Sequence, residues 1–298
     1  MNKNNISIVI PAYNEELIVN RLLEEIRECF QDVKDHEIIL IDDGSENLLE
    51  EHIEKKYKNE KLKIIRNSFN IGQTSAIKIG VNSSSFNIIG LIDGDMQNPP
   101  TELRRLYDIF LKEDLDAVVS FREKRKDNNY KIVLSKLGNM FLKFFTKSKF
   151  KDLGSSIKVI KKECLTSIKL DGELHRFIVP MLEKRNYKIQ EFGTKHNFRE
   201  VGKSNYGINR LIPVFVDGLL FYLSNGFTST KRYSVGKIAF FLFFFSSIFN
   251  IFVLYQRLFY DIFVHRNPIF VISMLALILS IFIFALGVFI EKDSNELN

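Results

Sequence analysis

The sequence predicts a Rossmann-like α/β domain followed by two membrane-spanning helices. Over residues 6–121, short β-rich apolar runs alternate with helical patterns, which is typical of a mostly parallel sheet covered on both faces. Near the other end, residues 238–255 and 268–290 form two apolar runs, the second without a single charge. Each approaches or exceeds the roughly 20 residues that cross a hydrocarbon core. Two buried core helices are the alternative, which the position of both runs near residue 298 disfavours.

The spacing of the apolar residues predicts each strand and helix of the α/β pattern. The predicted strands cover residues 6–10, 37–41, 62–65, 86–92 and 117–121. The predicted helices cover residues 15–30, 73–81, 100–112 and 130–146. We therefore expect five strands, four of them followed directly by a helix.

The segment before the membrane runs has its own pattern. Apolar residues recur at helical spacing over residues 208–223, and Lys231 and Arg232 follow. Such a helix either packs on the domain or lies in the membrane interface, and its position favours the interface. We therefore predict a globular domain over 1–206, an interfacial segment over 207–232 and a hairpin over 235–290, with spans at about 235–256 and 268–290.

Charge and cysteine content restrict the partners and the compartment. The net charge of +6 indicates an anionic partner, and membrane anchoring favours phospholipid headgroups, a lipid phosphate or a nucleotide over nucleic acid. Cys29 and Cys164 form no metal-binding or redox motif, as expected of core thiols in a reduced cytosolic domain. No signal-type apolar stretch precedes the first predicted strand.

Acidic residues directly follow the fourth predicted strand. Asp93, Gly94, Asp95 and Gln97 come after the apolar run that ends at Ile92. Two carboxylates one residue apart can share a hard divalent cation, which takes oxygen ligands. Turns are rich in Asp and Gly whatever their function, so this pair alone is a weak signal.

Motifs at two further strand ends strengthen the signal for a binding site. Residues 11–16, Pro-Ala-Tyr-Asn-Glu-Glu, follow the first strand, and residues 42–45, Asp-Asp-Gly-Ser, follow the second. Because the carboxyl ends of parallel strands meet at one sheet edge, where ligands bind, the three motifs are expected to converge there. An Asp at the second motif is suited to accept a hydrogen bond from a base N–H, and the Asp pair to hold a diphosphate through metal.

The order of these motifs resembles glycosyltransferase family 2, and more narrowly the dolichyl- or polyprenyl-phosphate sugar synthases. Asn70-x-Gly72 and Asp-x-Asp-x-Gln-x-Pro-Pro at 93–100 belong to this likeness. Downstream, residues 152–158, 175–180 and 195–206 are similar to the family's Asp-x-x-Ser-Gly-Phe-Arg, Arg-Phe-Ile-Pro and Arg-x-x-Gly-x-Ser-Lys-Tyr segments. The chain departs from the family at Ser156-Ile157, in place of Gly-Phe, and at Asn205, in place of Lys, with Lys203 as a neighbouring cation.

The resemblance implies a GT-A fold and a role for each matching residue. The implied donor-site residues are Pro11, Tyr13, Glu15, Asp42 or Asp43 at the base, Asp93, Gly94, Asp95, Gln97, Arg122, Arg199 and Lys203. Asp93, Asp95 and Gln97 would surround Mg²⁺ or Mn²⁺, while Arg122 and Arg199 neutralise phosphate charge. Asp152 is expected to orient the acceptor or act as base. Lys131 and Ser135, one helical turn apart, are candidates for the acceptor phosphate, with an ordinary exposed helix face as the alternative.

The implied reaction transfers one sugar from a UDP- or GDP-sugar to polyprenyl phosphate, undecaprenyl or dolichyl, with inversion. We expect a multi-pass protein of the cell membrane with its catalytic domain and both termini cytosolic, and leave a homo-oligomer open. A processive polysaccharide synthase is disfavoured because the chain contains no Trp for that group's Gln-x-x-Arg-Trp motif. A transferase for a glycolipid or wall precursor and a catalytically silent scaffold remain alternatives.

Overall fold

The computed structural model describes residues 5–58, 61–123, 129–170, 172, 174–197, 216, 230–260, 263–264 and 267–295. Within the long helices, side chains are described from residue 137, from residue 236 and up to residue 286. The chain divides into two compact units, Met1–Leu211 and Ile212–Asn298.

The first unit contains a seven-stranded sheet. Its strands are β1 Ile6–Ala12, β2 His36–Asp42, β3 Leu62–Arg66, β4 Ile88–Leu91, β5 Ala117–Arg122, β6 Lys158–Lys161 and β7 Ile189–Thr194. The spatial order is β3-β2-β1-β4-β6-β5-β7. Neighbouring strands are parallel except where β6 pairs with β4 and β5. All five predicted strands are confirmed.

Strands β6 and β7 were not predicted. The four residues of β6, Lys-Val-Ile-Lys, carry two charges, and β7 reads Ile-Gln-Glu-Phe-Gly-Thr. Neither run has the length or apolar content that identifies a strand by itself. Both form because β4 and β5 leave an unpaired edge that backbone hydrogen bonds fill.

The described part of the first unit contains seven α-helices. Four were predicted and lie close to their expected bounds, and the three shortest were not predicted. The seven helices are α1 Val19–Cys29, α2 Leu49–His52, α3 Gln73–Asn82, α4 Pro100–Lys112, α5 Asn129–Thr146, α6 Lys162–Ser167 and α7 Ile178–Lys184, with 3₁₀ turns at Lys55–Tyr57 and Leu174–Phe177. Helix α1 begins four residues later than predicted. The carbonyl of Glu15 instead accepts the N–H groups of Ile18 and Val19 in a turn.

Helices cover both faces of the sheet. Ile8 and Ile10 of β1 belong to one buried cluster with Leu22 of α1 and Leu103 of α4. Since successive strand residues point to opposite faces, Val9 faces the other side. There a Cβ on Gly80 of α3 would lie 2.3 Å from Cγ1 of Val9. Only glycine permits this close approach of helix and strand.

The second unit contains two long helices, Thr230–Tyr260 and Pro268–Asn295. Among the described residues, two segments are long and apolar enough to cross a membrane, Gly236–Tyr260 and Pro268–Leu286. The helices contact each other, and the Ser273 hydroxyl donates to Oδ1 of Asn250 at 3.1 Å. Two candidate membrane spans are therefore present, as predicted. The predicted interfacial segment lies outside the described residues apart from residue 216 and the helix start at 230.

Candidate functional site

One edge of the sheet collects the predicted site residues. The parallel strands β2, β1 and β4 are neighbours, so their carboxyl ends present Asp42, the Pro11 loop and Asp93 side by side. Strand β5, which ends at Arg122, points the same way. Because β6 is antiparallel to both β4 and β5, its first residue, Lys158, lies at the same edge. The convergence expected from the sequence follows from this topology.

Asp93 and Asp95 form the acidic pair at the end of β4. Burial and the neighbouring charge of Asp95 raise the pKa of Asp93 to about 6. The amide of Gln73 donates to Oδ1 of Asp93 at 2.6 Å, and the hydroxyl of Ser156 also bonds this carboxylate. The N–H of Gln97 donates to Oδ1 of Asp95 at 3.1 Å. Two like charges held together form a site that attracts a cation.

The backbone around this pair is tightly fitted. Met96 has φ of 56°, a left-handed conformation that is costly for a non-glycine residue and is typical of functional sites. The N–H of Gly94 donates to the carbonyl of Pro11 at 3.3 Å, and a Cβ on Gly94 would lie 3.1 Å from Cβ of Ala12. Residues 93–97, which we call the acidic turn, therefore lie directly against the end of β1.

Asp152 and Arg122 form a bidentate ion pair. Nε of Arg122 lies 2.6 Å from Oδ2 of Asp152, and Nη2 lies 2.8 Å from Oδ1. The N–H of Gly154 also donates to Oδ1, at 3.1 Å. Both side chains are largely buried, with 7% of Arg122 and 16% of Asp152 exposed. The two residues predicted on opposite sides of the reaction are thus in direct contact.

Three residues of the site were not predicted: Gln73, Ser156 and Lys158. Lys158 is only 5% exposed, donates to the carbonyl of Ser155, and interacts electrostatically with Asp93 and Asp152. Burial lowers its pKa to about 8. In the sequence, Lys158 directly precedes the apolar pair Val159-Ile160. Because an unpaired Lys is rarely buried, a Lys beside such an apolar pair was the signal that could have indicated a site residue.

Asp42 and Asp43 at the end of β2 are buried, with exposed fractions of 1% and 4%. The guanidinium of Arg66 donates to Oδ2 of Asp42 at 2.7 Å. Asp43 accepts the side-chain amide of Asn67 at 2.8 Å and the N–H of Gly72 at 2.9 Å. Within the protein, these carboxylates therefore organise the loop after β3, and their contact with a base stays a prediction.

The loop after β1 is tied to the loop after β2. Asn14, with φ of 56°, donates its N–H to the hydroxyl of Ser45 at 2.9 Å and accepts the N–H of Glu46 at 2.9 Å. Tyr13 before it is partly exposed, and Glu15 after it is 7% exposed. This connection fixes the part of the edge where Pro11, Tyr13 and Glu15 were predicted to line a pocket.

Several predicted residues lie outside the described part. Arg199 and Lys203 belong to the segment 198–215, which the structure does not describe. Lys131 and Ser135 lie on α5, but their side chains are not described. The N–H of Asn197 donates to the carbonyl of Gln97 at 2.7 Å, so the chain approaches the acidic turn just before residue 198.

The donor set at the acidic pair fits a hard divalent cation. Carboxylate oxygens of Asp93 and Asp95 are what Mg²⁺ and Mn²⁺ prefer. A cation would stabilise the charged form of Asp93, whose pKa is raised by burial and by the charge of Asp95. In the described ranges, no group of three His, Cys, Asp or Glu residues is placed to hold a metal. Two carboxylates plus substrate phosphates are the usual arrangement for Mg²⁺.

Comparison with known sequences identifies the family. Residues 7–166 of the 298-residue chain match the family model for glycosyl transferase family 2. The chain belongs to glycosyl transferase family 2. This confirms the family resemblance of the motifs.

Two relatives of the family 2 chain are named for sugar transfer to a polyprenyl phosphate. Dodecaprenyl-phosphate galacturonate synthase of Rhizobium johnstonii is 32% identical over 218 residues, covering 71% of this chain and 64% of that protein. Undecaprenyl-phosphate 4-deoxy-4-formamido-L-arabinose transferase of Proteus mirabilis is 32% identical, covering 72% and 66%. The chain thus matches slightly less than two thirds of each relative's length.

A solved structure supports the fold. Glucosyl-3-phosphoglycerate synthase from Mycobacterium tuberculosis, crystallised with Mn²⁺, UDP and glucosyl-3-phosphoglycerate, superimposes with a TM-score of 0.59. The two proteins are 18% identical, and the match covers 76% of this chain and 82% of that chain. Identity this low supports the fold alone, and the predicted GT-A fold of the family 2 domain is confirmed.

Proposed function

We propose that this family 2 protein transfers one sugar from a UDP- or GDP-sugar to polyprenyl phosphate at a membrane, with inversion at the anomeric carbon. The observation that carries this proposal is the convergence of the Asp93–Asp95 pair and the Arg122–Asp152 ion pair at one sheet edge. The relatives whose names specify polyprenyl-phosphate sugar transfer support it. So do the two candidate membrane spans, which would keep the protein at a lipid acceptor.

Asp93 and Asp95, with Gln97 beside them, would hold the divalent cation. When bound there, Mg²⁺ or Mn²⁺ would supply positive charge to the departing diphosphate. The residues around the pair prepare the site: Gln73 and Ser156 orient the Asp93 carboxylate through hydrogen bonds. A site organised before substrate arrives loses little energy to rearrangement during reaction.

Asp152 would serve the acceptor side. A phosphate acceptor is already anionic near neutral pH, so the attacking oxygen needs alignment more than deprotonation. The bidentate contact with Arg122 fixes the position of the Asp152 carboxylate. In this proposal Arg122 also offers its charge to phosphate, as do Arg199 and Lys203, while Pro11, Tyr13 and Glu15 line the nucleotide pocket. Asp42 or Asp43 contacts the base, and Lys131 and Ser135 contact the acceptor phosphate.

The proposed organisation places the GT-A domain over residues 1–206, the interfacial segment over 207–232 and the hairpin over 235–290. Both termini would be cytosolic, since nucleotide-sugars are made in the cytosol. Lys231, Arg232 and Lys237 flank the domain-side end of the first span, in keeping with the positive-inside tendency, whereas Arg257 and Arg266 weaken the bias. A reporter fused after Asn298 should be cytosolic, and an extracytoplasmic reporter would contradict this topology.

The activity is tested with full-length protein in membranes. Labelled UDP- and GDP-sugars are each incubated with undecaprenyl or dolichyl phosphate and Mg²⁺ or Mn²⁺, and the labelled lipid is identified by mass spectrometry. Transfer to polyprenyl phosphate that disappears in the Asp95→Asn variant is the expected result. Transfer only to a glycolipid or wall precursor would select that alternative. Donor binding and hydrolysis that never exceed background would favour a catalytically silent scaffold.

A further inference from the structure

Two segments of the chain meet beside the acidic turn. Strand β4 runs antiparallel to β6, so the segment that follows β4 lies beside the segment that precedes β6. Asn98 belongs to the first segment and Ser156 to the second, and Nδ2 of Asn98 donates to Oγ of Ser156 at 2.9 Å. The hydroxyl of Ser156 also bonds the carboxylate of Asp93. Asn98 is therefore connected to Asp93 through one intermediate side chain.

The hydrogen bonds of these three side chains run in one direction. A hydroxyl group has one hydrogen, the nitrogen of a side-chain amide only donates, and an ionised carboxylate only accepts. Because Oγ of Ser156 accepts from Asn98, its single hydrogen is available to Asp93. Hydrogen bonds in such a series polarise and strengthen one another. The amide of Asn98 thus directs the Ser156 hydroxyl toward Asp93.

The backbone on both sides of this contact is restrained. Asn98 precedes Pro99, and a residue before proline is restricted to extended conformations. Ile157, which follows Ser156, is 0% exposed. Its carbonyl accepts the N–H of Ser120 at 3.2 Å and the Ser120 hydroxyl at 2.8 Å. The contact between Asn98 and Ser156 is therefore fixed by the fold and needs no ligand to form.

Asn98 is a poor choice for stability alone. The residue is only 6% exposed, and among the residues that the structure describes no donor reaches its buried Oδ1. A buried acceptor without a hydrogen bond costs free energy that an apolar side chain of similar size would avoid. A polar group that breaks this rule next to a site typically has a functional role.

We propose that Asn98 is a positioning residue of the divalent-cation site, which acts through Ser156 by holding the Asp93 carboxylate in the orientation that binds the cation. The inference rests on the proposed metal assignment and extends it to a residue one step removed from the cation. Loss of a partner that hydrogen-bonds a metal ligand typically lowers metal affinity by about 10–100-fold. Gly, the usual family residue at position 156, has no hydroxyl, so this support depends on the serine of the present chain.

The affinity of the full-length protein in detergent for Mn²⁺ measures this role without sugar transfer. The EPR signal of free Mn²⁺ is followed during titration with protein, alone and with UDP or GDP. Asn98→Leu should weaken Mn²⁺ binding by roughly threefold to tenfold. Its thermal midpoint should equal or exceed that of the wild type, because the unpaired Oδ1 is removed. Asn98→Ala, which needs no added space, repeats the comparison.

The matched control is Asn20→Leu. Nδ2 of Asn20 donates to the carbonyl of His52 at 2.8 Å, and its Oδ1 accepts the N–H of Glu54 at 3.0 Å. Because both ends of this amide are paired, the control should lose stability and keep its Mn²⁺ affinity. Weakened Mn²⁺ binding by the control would overturn the proposal, since lost stability would then explain the effect.

A double variant tests whether Asn98 acts through Ser156. Ser156→Ala should weaken Mn²⁺ binding by about tenfold, and Asn98→Leu, Ser156→Ala should bind no more weakly than Ser156→Ala alone. Losses that add would overturn the proposal, because Asn98 would then act independently of Ser156. Wild-type affinity in Asn98→Leu would also overturn it and leave the proposed function intact. A wild-type protein that binds no Mn²⁺ in any titration would overturn the metal assignment and this inference together.

Discussion

The guanidinium of Arg122 and the carboxylate of Asp152 meet in a two-bond ion pair, with N–O distances of 2.6 and 2.8 Å. The residues are 30 positions apart in the chain, and α5 lies between them. Charge-assisted bidentate pairs hold their geometry well. The pair therefore fixes Asp152 at the sheet edge that also holds Asp93 and Asp95.

The Asp152→Asn variant should lose turnover while keeping metal-dependent donor binding, because Asp152 is proposed to serve the acceptor. We also expect a stability loss of about 1–3 kcal/mol, since Arg122 loses its charged partner. Turnover is measured with a transfer assay, donor binding by calorimetric titration with donor and Mn²⁺, and stability by thermal unfolding. The control is Asp116→Asn, which breaks the Lys161–Asp116 pair of 2.7 Å. Loss of turnover in the control as well would show that stability alone explains the effect.

The Asp95→Asn variant should abolish transfer at physiological metal concentration with little change in the thermal midpoint. An amide keeps one oxygen but removes the negative charge that a hard cation requires. The hydrogen bond from the N–H of Gln97 to Oδ1 is retained by Asn. Activity of the wild type should vanish in EDTA and return with Mg²⁺ or Mn²⁺. Asp114→Asn, at a 90% exposed carboxylate, is the control. Full activity in EDTA would refute the metal assignment.

The Gly80→Ala variant should destabilise the first unit, by about 1–3 kcal/mol, although Ala normally favours a helix over Gly by about 1 kcal/mol. The added Cβ would lie 2.3 Å from Cγ1 of Val9, so strand and helix would have to separate. The double variant Gly80→Ala, Val9→Ala tests the cause. Chemical unfolding of both single variants and the double variant should give a favourable coupling energy. If the two substitutions changed the free energy of unfolding additively, the steric explanation would be excluded.

His36 should make the first unit less stable in acid. Burial lowers its pKa, although its ring donates from Nδ1 to the carbonyl of Val33 at 2.8 Å. Below about pH 6.5 the unfolded chain takes up a proton that the folded His36 resists, so stability falls as pH falls, by up to about 1.4 kcal/mol per pH unit. Unfolding free energies between pH 5 and 8 should show a shallower slope for His36→Asn. Equal slopes would contradict the prediction.

The sequence alone determined the strand ends and their chemistry. Apolar runs of β-rich residues identified five strands, and the polar residues that follow them necessarily lie at one edge of a parallel sheet. Asp93, Asp95 and Asp152 were found in this way or through family motifs. The two apolar runs likewise identified the candidate membrane spans by length. These features depend on local pattern, which can be read along the chain.

Only the tertiary structure decided which residues contact each other across long separations. Strand β6 is short and charged, and it exists because β4 and β5 pair with it. That pairing brings the buried Lys158 to the site, and the Arg122–Asp152 pair closes beside it. Likewise, the sequence alone does not show that Leu142 of α5 is buried while Phe144 is exposed. Such contacts depend on which elements become neighbours after folding, and a local sequence pattern does not specify those neighbours.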